Sequence, residues 1–278
     1  MNLGVRAHDF GQLPPDELAA TIARHGLSCV QLAPPKAIAG CDGSTARLTP
    51  EFARRVHTAF QRHGVEISVL GCYINLADRN ESHRRAQLER FKAYLRLARD
   101  FGGPIVGTET GSLNSDFSRH PENAGDEAFD LVVASVRELA DEAEKCGAIV
   151  GIEAVERYVI SSPPRLKRLL EAVDSRSVQV IYDPVNLLWS TNHQRQDEIM
   201  DEAHQLLGDR IRIVHAKDFT VDAGKFHEHP AGRGALHQER WMRWLKAQPR
   251  DVPVLLENTH PSTIAHTVAF MRDTWQRA

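Results

Sequence analysis

The sequence predicts an α/β chain of the (β/α)8 TIM barrel class, with residues 1–278 forming a single domain. Three observations lead there. Eight short apolar runs alternate with longer amphipathic segments along the whole chain, as repeated βα units around a parallel sheet require. Several of the runs are apolar nearly throughout, the pattern of strands buried on both faces. No G-x-G-x-x-G follows the first run, which removes the fingerprint of an open dinucleotide-binding sheet.

In order, the predicted strands are 3–7, 29–32, 66–72, 104–107, 149–153, 178–183, 211–215 and 254–257. Between them, segments such as ELAATIARHG, EFARRVHTAFQRHG, RRAQLERFKAYLRLARDFGG and AFDLVVASVRELADEAEKCG carry apolar residues at helical spacing. Gly26, Gly64, Gly102, Gly147 and Gly208 supply stop signals a few residues before the next strand. Two connections are long and polar or glycine-rich, 33–49 after the second strand and 219–235 after the seventh. Both follow strand C-terminal ends, where barrels build their active sites, so they are expected to cover a substrate.

Composition narrows the function. A hydrophobic fraction of 42% and a charged fraction of 26% suit a globular enzyme. The net charge is −3 and Lys and Arg are scattered through helices, which argues against a nucleic-acid partner. No apolar run is long enough to span a bilayer and the start has no leader pattern, so no membrane partner and a cytoplasmic location are expected. Cys29, Cys41, Cys72 and Cys146 are widely separated and are expected to be free thiols. A homo-oligomer is left open.

The chemistry is concentrated in the second half of the chain. IVGIE ends in Glu153, VQVIYD in Asp183, IRIVH in His215 and VPVLLE in Glu257, at intervals of 30, 32 and 42 residues. Each interval is about one βα unit, so four successive strands aim one polar residue each at the same end of the barrel. Three carboxylates buried together raise one another's pKa and resist desolvation unless a cation joins them. A divalent metal resolves that conflict. The mixed oxygen and imidazole donors favour Mn2+, Mg2+ or Co2+, with Zn2+ also compatible.

Around these residues stand IEAVERY at Glu153, YDPVN at Asp183, HAKD from His215 to Asp218, PAGRG at 230–234 and LLE ending at Glu257. With these motifs the chain resembles the xylose isomerase-like TIM barrel superfamily over nearly its whole length. The resemblance is to the sugar (phosphate) isomerase/epimerase branch, which includes ketose 3-epimerases and inosose dehydratases. It implies that Glu153, Asp183, His215 and Glu257 bind the metal, and that Glu153 and Glu257 also flank the substrate carbon as acid and base. Where the ketose 3-epimerases have a His three residues after the metal Asp, this chain has Asn186. Where they continue Asn-Arg-Tyr-Glu, it has Glu156, Arg157, Tyr158 and Val159, keeping the Arg-Tyr pair.

Further substrate contacts are expected from His8 after the first strand, Glu109 in GTETG after the fourth, Arg157, Asn186, Lys217 and Arg233. Lys217 can neutralise an oxyanion or pair with Asp218, and Arg233 between two glycines is a candidate clamp. Trp189 and Phe219 are candidate apolar walls for a sugar face. The expected reaction is proton abstraction next to a carbonyl on a sugar or keto-sugar, the cation lowering the barrier and one glutamate taking the proton. Re-delivery on the opposite face epimerises, re-delivery to the next carbon isomerises, and expulsion of a β-hydroxyl dehydrates in the manner of inosose dehydratases. A DNA-repair endonuclease needs more metals and a basic face, and a non-catalytic sugar-binding subunit has no use for a metal shell. With no phosphate-binding glycine loop, a free or glycosidic sugar is favoured over a sugar phosphate.

Overall fold

The computed structural model describes residues 1–44 and 47–278; Thr45 and Ala46, inside the 33–49 connection, lie outside the described residues. Eight parallel strands close into a barrel: β1 (Leu3–Arg6), β2 (Cys29–Leu32), β3 (Glu66–Gly71), β4 (Ile105–Glu109), β5 (Ile149–Glu153), β6 (Val178–Tyr182), β7 (Ile211–Ala216) and, last in the chain, β10 (Val254–Leu256). Neighbours in sequence are neighbours in space, and β1 closes the ring by pairing with both β2 and β10. The predicted strands all form. Their ends move by one or two residues, most at β4, where pairing with β5 extends to Glu109↔Glu153.

Glycines in the barrel make room for its core. Cys29, Val69, Ile181, Ile213 and Leu255 form one buried cluster with Ile105 packed against it. A Cβ on Gly107 would lie 2.7 Å from Ile181 Cδ1, and one on Gly151 2.6 Å from Ile105 Cγ2. The isoleucines therefore fill the space that these glycines leave, and the interior is packed rather than open. Side chains alternate across a strand, so the residue two positions further along points the same way, one layer higher. Arg6, Gln31, Glu109, Glu153, Asp183, His215 and Glu257 stand two residues after Gly4, Cys29, Gly107, Gly151, Ile181, Ile213 and Leu255. The strands thus set a ring of polar groups on top of an apolar plug.

The outer layer is α1 (Pro15–Arg24), a short α2 (Pro34–Ala37), α3 (Pro50–Arg62), α4 (Glu81–Leu97), α5 (Asp126–Cys146), α6 (Pro163–Val173), α7 (Gln196–Leu207), α8 (Gln238–Lys246) and α9 (Ile264–Arg277). Side-chain caps start several of them: Thr49 Oγ1 accepts from Phe52 N at 3.2 Å and Asn80 Oδ1 from His83 N at 3.2 Å. Gly26, Gly64, Gly102 and Gly147 adopt the left-handed backbone expected of helix stops, while Gly208 stays helical. No helix among the described residues is long and apolar enough to cross a membrane. The four cysteines are free thiols.

The 219–235 connection is not the irregular loop expected. It belongs to an antiparallel hairpin, β8 (Asp218–Asp222) and β9 (Lys225–His229), closed by Ala223 and Gly224 at φ 47° and 77°. Two successive positive φ values match the twist of a two-residue hairpin turn. Asp218 anchors it: Oδ1 accepts from Phe219 N and Leu236 N, both at 2.9 Å, and Oδ2 from Gly232 N at 3.0 Å. Asp218 is buried and its carboxylate satisfies three backbone donors, so Asp218→Ala should cost about 3 kcal/mol, read from the denaturant midpoint. A loss below about 1 kcal/mol would show that the hairpin is held elsewhere.

Candidate metal and substrate site

Arg6, Gln31, Glu109, Glu153 and Glu257 of the polar ring line a cavity of about 270 Å3 at the C-terminal end of the barrel. Local sequence aims its members. In Asp183-Pro184-Val185-Asn186 the Asp183 Oδ1 accepts from Val185 N at 2.8 Å and Asn186 N at 3.1 Å, a side-chain turn that swings Asn186 back over the barrel. Asn186 Nδ2 then donates to Glu153 Oε1 at 2.6 Å, while its Oδ1 accepts from Lys217 Nζ at 2.8 Å. Among the described residues Lys217 does not pair with Asp218, whose carboxylate is taken up by the backbone donors of the hairpin segment. Its ammonium lies 3.1 Å from Asp183 Oδ2, 3.1 Å from Glu228 Oε2 and 3.4 Å from Glu257 Oε2.

Glu153, Asp183 and His215 bring together ligand atoms that all lie within 4.8 Å of one another, and all three residues are buried. His215 Nδ1 is 3.2 Å from Glu153 Oε1 and 3.6 Å from Glu257 Oε1. Its Nε2 is buried without a hydrogen-bond partner among the described residues. Two carboxylates and an imidazole at this spacing, with an unsatisfied ring nitrogen, fit a divalent metal. Glu257 shares the cavity but lies outside that close triad, between Lys217 and Arg6, whose Nη1 is 3.8 Å from Glu257 Oε1.

Electrostatics show the strain of the cluster when protons alone balance it. Burial disfavours the imidazolium of His215, but Glu153 and Glu257 outweigh it and raise the pKa to about 9. Burial raises the Asp183 carboxyl to about 7 despite Lys217. Burial and then Glu153 raise Glu109 to about 8. Burial also pushes Glu257 up, yet His215, Lys217 and Arg6 prevail and bring it down to about 2. A metal needs a neutral imidazole and an ionised carboxylate, so it must displace the protons on His215 and Asp183. Metal affinity is therefore expected to rise by at least about tenfold from pH 6 to pH 8, with protons released on binding, in calorimetric titrations of the metal-free protein. Affinity that does not change over this range would contradict the linkage.

Of the residues expected at the substrate, His8, Glu109, Arg157, Asn186 and Lys217 line the cavity. Arg233 does not: it is exposed, because Asp218 ties down the backbone on either side and leaves the side chain outside. Trp189 and Phe219 are not cavity walls either. Trp189 stacks on Phe226 at 5.5 Å between ring centroids and Phe226 on Phe219 at 4.9 Å, fastening the hairpin to the segment after β6.

Five lining residues went unrecognised: Arg6, Gln31, Lys36, Tyr73 and Glu228. Gln31 was detectable as a polar residue inside an otherwise apolar strand, CVQL, and Arg6 by the same two-residue periodicity. Gln31 Nε2 donates to Tyr73 Oη at 2.8 Å, and its Oε1 is buried without a partner among the described residues. Burial, then Glu153, Glu257 and Glu109, push the Tyr73 phenol well above its ordinary pKa, so it stays a donor. Asp9 serves behind the wall, accepting from Arg6 Nε and from Thr259 N and Oγ1, each at 2.8 Å.

A family model described as the xylose isomerase-like TIM barrel matches residues 7–274. The chain belongs to the xylose isomerase-like TIM barrel family. Among solved structures it is similar to a 3-keto-D-glucoside 4-epimerase from E. coli, 18% identical, with TM-score 0.75 over 98% of this chain and 99% of that one. It is also similar to a D-tagatose 3-epimerase-like protein, 19% identical, TM-score 0.78, over 100% and 98%. An IOLI protein with a bound zinc atom is 16% identical, TM-score 0.76, over 100% and 99%. At these identities the likeness establishes the fold. No curated relative matches the chain by sequence.

Proposed function

We propose that the chain is a divalent-metal-dependent isomerase or epimerase that moves a proton next to the carbonyl of a sugar or keto-sugar. The observation that supports this reading is that Glu153 and Glu257 both approach His215 Nδ1, at 3.2 and 3.6 Å, and both line one polar cavity beside a metal-fitting triad. Glu153, Asp183 and His215 would hold the cation, with Glu257 as fourth ligand; Mn2+, Mg2+ or Co2+ suits the donors, and Zn2+ is compatible. Bound there, a divalent cation would supply Lewis-acid polarisation of the carbonyl. One glutamate takes the proton as the C–H bond breaks and its electron pair passes towards the carbonyl oxygen. The other glutamate returns a proton. Asn186 and Lys217 fix the Glu153 and Glu257 carboxylates, and Glu109, Arg157, Tyr73 and His8, which line the same cavity, would bind hydroxyl groups. Neutral His8, its pKa lowered to about 4 by burial and then by Arg6, can accept as well as donate.

Support for a sugar comes from the density of donors and acceptors around the cavity and from epimerases among the structural neighbours. The test is solvent-deuterium incorporation by the metal-loaded protein into ketoses, keto-glycosides and inososes. Exchange with retention of all hydroxyls is the expected result, whereas loss of water would assign a dehydratase. Absence of C–H exchange across the panel, with metal bound, would overturn the proposal.

A further inference from the structure

Glu228 reaches the cavity from the hairpin, not from a barrel strand. On β9 it shares a face with Phe226, two residues earlier, which stacks on Phe219 and Trp189 and so fastens that face to the barrel. The Glu228 side chain remains 35% open to solvent, yet one of its oxygens meets the buried Lys217. That oxygen, Oε2, lies 3.1 Å from Lys217 Nζ and also accepts from Asn258 Nδ2 at 3.1 Å. Asn258 directly follows Glu257, its backbone left-handed at φ 55°, a conformation that Asn accepts better than most side chains. Its Oδ1 accepts from Arg6 Nη2 at 3.2 Å.

These contacts close a ring around Glu257. Arg6 Nη1 is 3.8 Å from Glu257 Oε1 and Lys217 Nζ is 3.4 Å from Glu257 Oε2, so each oxygen of that carboxylate faces one cation. Both cations lead back to Glu228, Lys217 directly and Arg6 through Asn258. Lys217 is the sensitive member. Its ammonium, with three donors on a flexible stem, has Asn186 Oδ1 at 2.8 Å, Asp183 Oδ2 and Glu228 Oε2 at 3.1 Å, and Glu257 Oε2 at 3.4 Å. Asp183 and Asn186 draw it towards the segment after β6, and Glu228 draws it towards the hairpin. Without the Glu228 charge the ammonium shifts towards Asp183, and its longest contact, the one to Glu257, opens first. We propose that Glu228 is a positioning residue for Glu257: from the hairpin it holds Lys217 and, through Asn258, Arg6, and so fixes both oxygens of the Glu257 carboxylate for proton transfer. This rests on the proton-transfer reading of the site.

The test uses the metal-loaded protein with D-fructose, methyl 3-keto-glucoside and scyllo-inosose, and reads solvent-deuterium exchange on the probe that wild type exchanges fastest. Glu228→Gln keeps the side-chain length and removes the charge. It is expected to lower kcat at least about tenfold while KM changes less than about threefold, the split of a group that orients a base without holding substrate. Asn258→Gly, which tolerates the left-handed backbone and removes only the amide, should lower kcat at least about threefold with the same split. His227→Ala changes an exposed side chain on the other face of β9 and should leave kcat within about twofold of wild type. The deciding arm is a double-variant cycle. In a Glu257→Gln background, adding Glu228→Gln should lower exchange less than about twofold, because the carboxylate it orients is gone. A full loss in that background, an unchanged kcat in Glu228→Gln alone, or an effect confined to KM overturns the positioning role while the reaction stands. If wild type exchanges none of the probes, the proposed reaction fails, and a crystal structure of Glu228→Gln decides the positioning: a Glu257 carboxylate displaced by about 1 Å supports it, and one left in place overturns it.

Discussion

Replacing Glu153 or Glu257 by Gln is expected to lower deuterium exchange into the substrate by at least about a hundredfold while leaving most of the metal bound. Gln keeps the shape of the side chain and one oxygen donor, but cannot take a proton at working pH. The surroundings favour a clean comparison. Asn186 Nδ2 holds Glu153 Oε1 at 2.6 Å, and Lys217 and Arg6 hold Glu257, so both positions are fixed by neighbours that also accept an amide oxygen. General acid–base catalysis contributes roughly two to four orders of magnitude, which sets the expected loss. Elemental analysis must accompany the rates. A variant that keeps wild-type exchange with its metal in place would make that glutamate a ligand only, leaving a single base to serve the reaction.

Asp183→Ala and His215→Ala should weaken metal binding at least about a hundredfold, more than the loss typical of groups one shell further out. Both side chains sit in the close triad, and neither faces a reacting carbon as directly as the glutamates are proposed to. Metal content after desalting is the readout, with circular dichroism to show that the barrel remains folded. Asp183 also shapes its own turn through Val185 N and Asn186 N. Asp183→Asn, which preserves an oxygen for that turn, separates loss of the ligand charge from loss of the turn. Full occupancy in Asp183→Asn and His215→Ala would remove the triad as the metal site.

Much of the barrel was legible because parallel strands buried on both faces leave a mark that needs no partner to be seen. IVGIE, VQVIYD, IRIVH and VLLE are short, apolar and polar-ended, and each helix segment between them carries its own spacing and stop. The same feature exposed Glu153, Asp183, His215 and Glu257: a charged residue at the end of an apolar strand is costly unless something waits for it. Gln31 and Arg6 carried a weaker version of that mark, one residue deep in short strands.

Only the tertiary structure decided what depends on contacts between distant segments. Arg233 looked poised between two glycines, yet Asp218 captures Gly232 N and Leu236 N and leaves the guanidinium outside. Glu228 reaches Lys217 because a hairpin formed where the sequence read as a loop, its turn built on Ala223 and Gly224 rather than on the stronger Asn-Gly signal. Trp189, Phe226 and Phe219 pack on one another instead of on a substrate. The chain by itself determined a (β/α)8 barrel with a metal-fitting polar end, because strand burial and the cost of grouped carboxylates are local properties of its segments. Which side chains share the cavity was decided by packing and hydrogen bonds between residues far apart in sequence, whose outcome no single segment encodes.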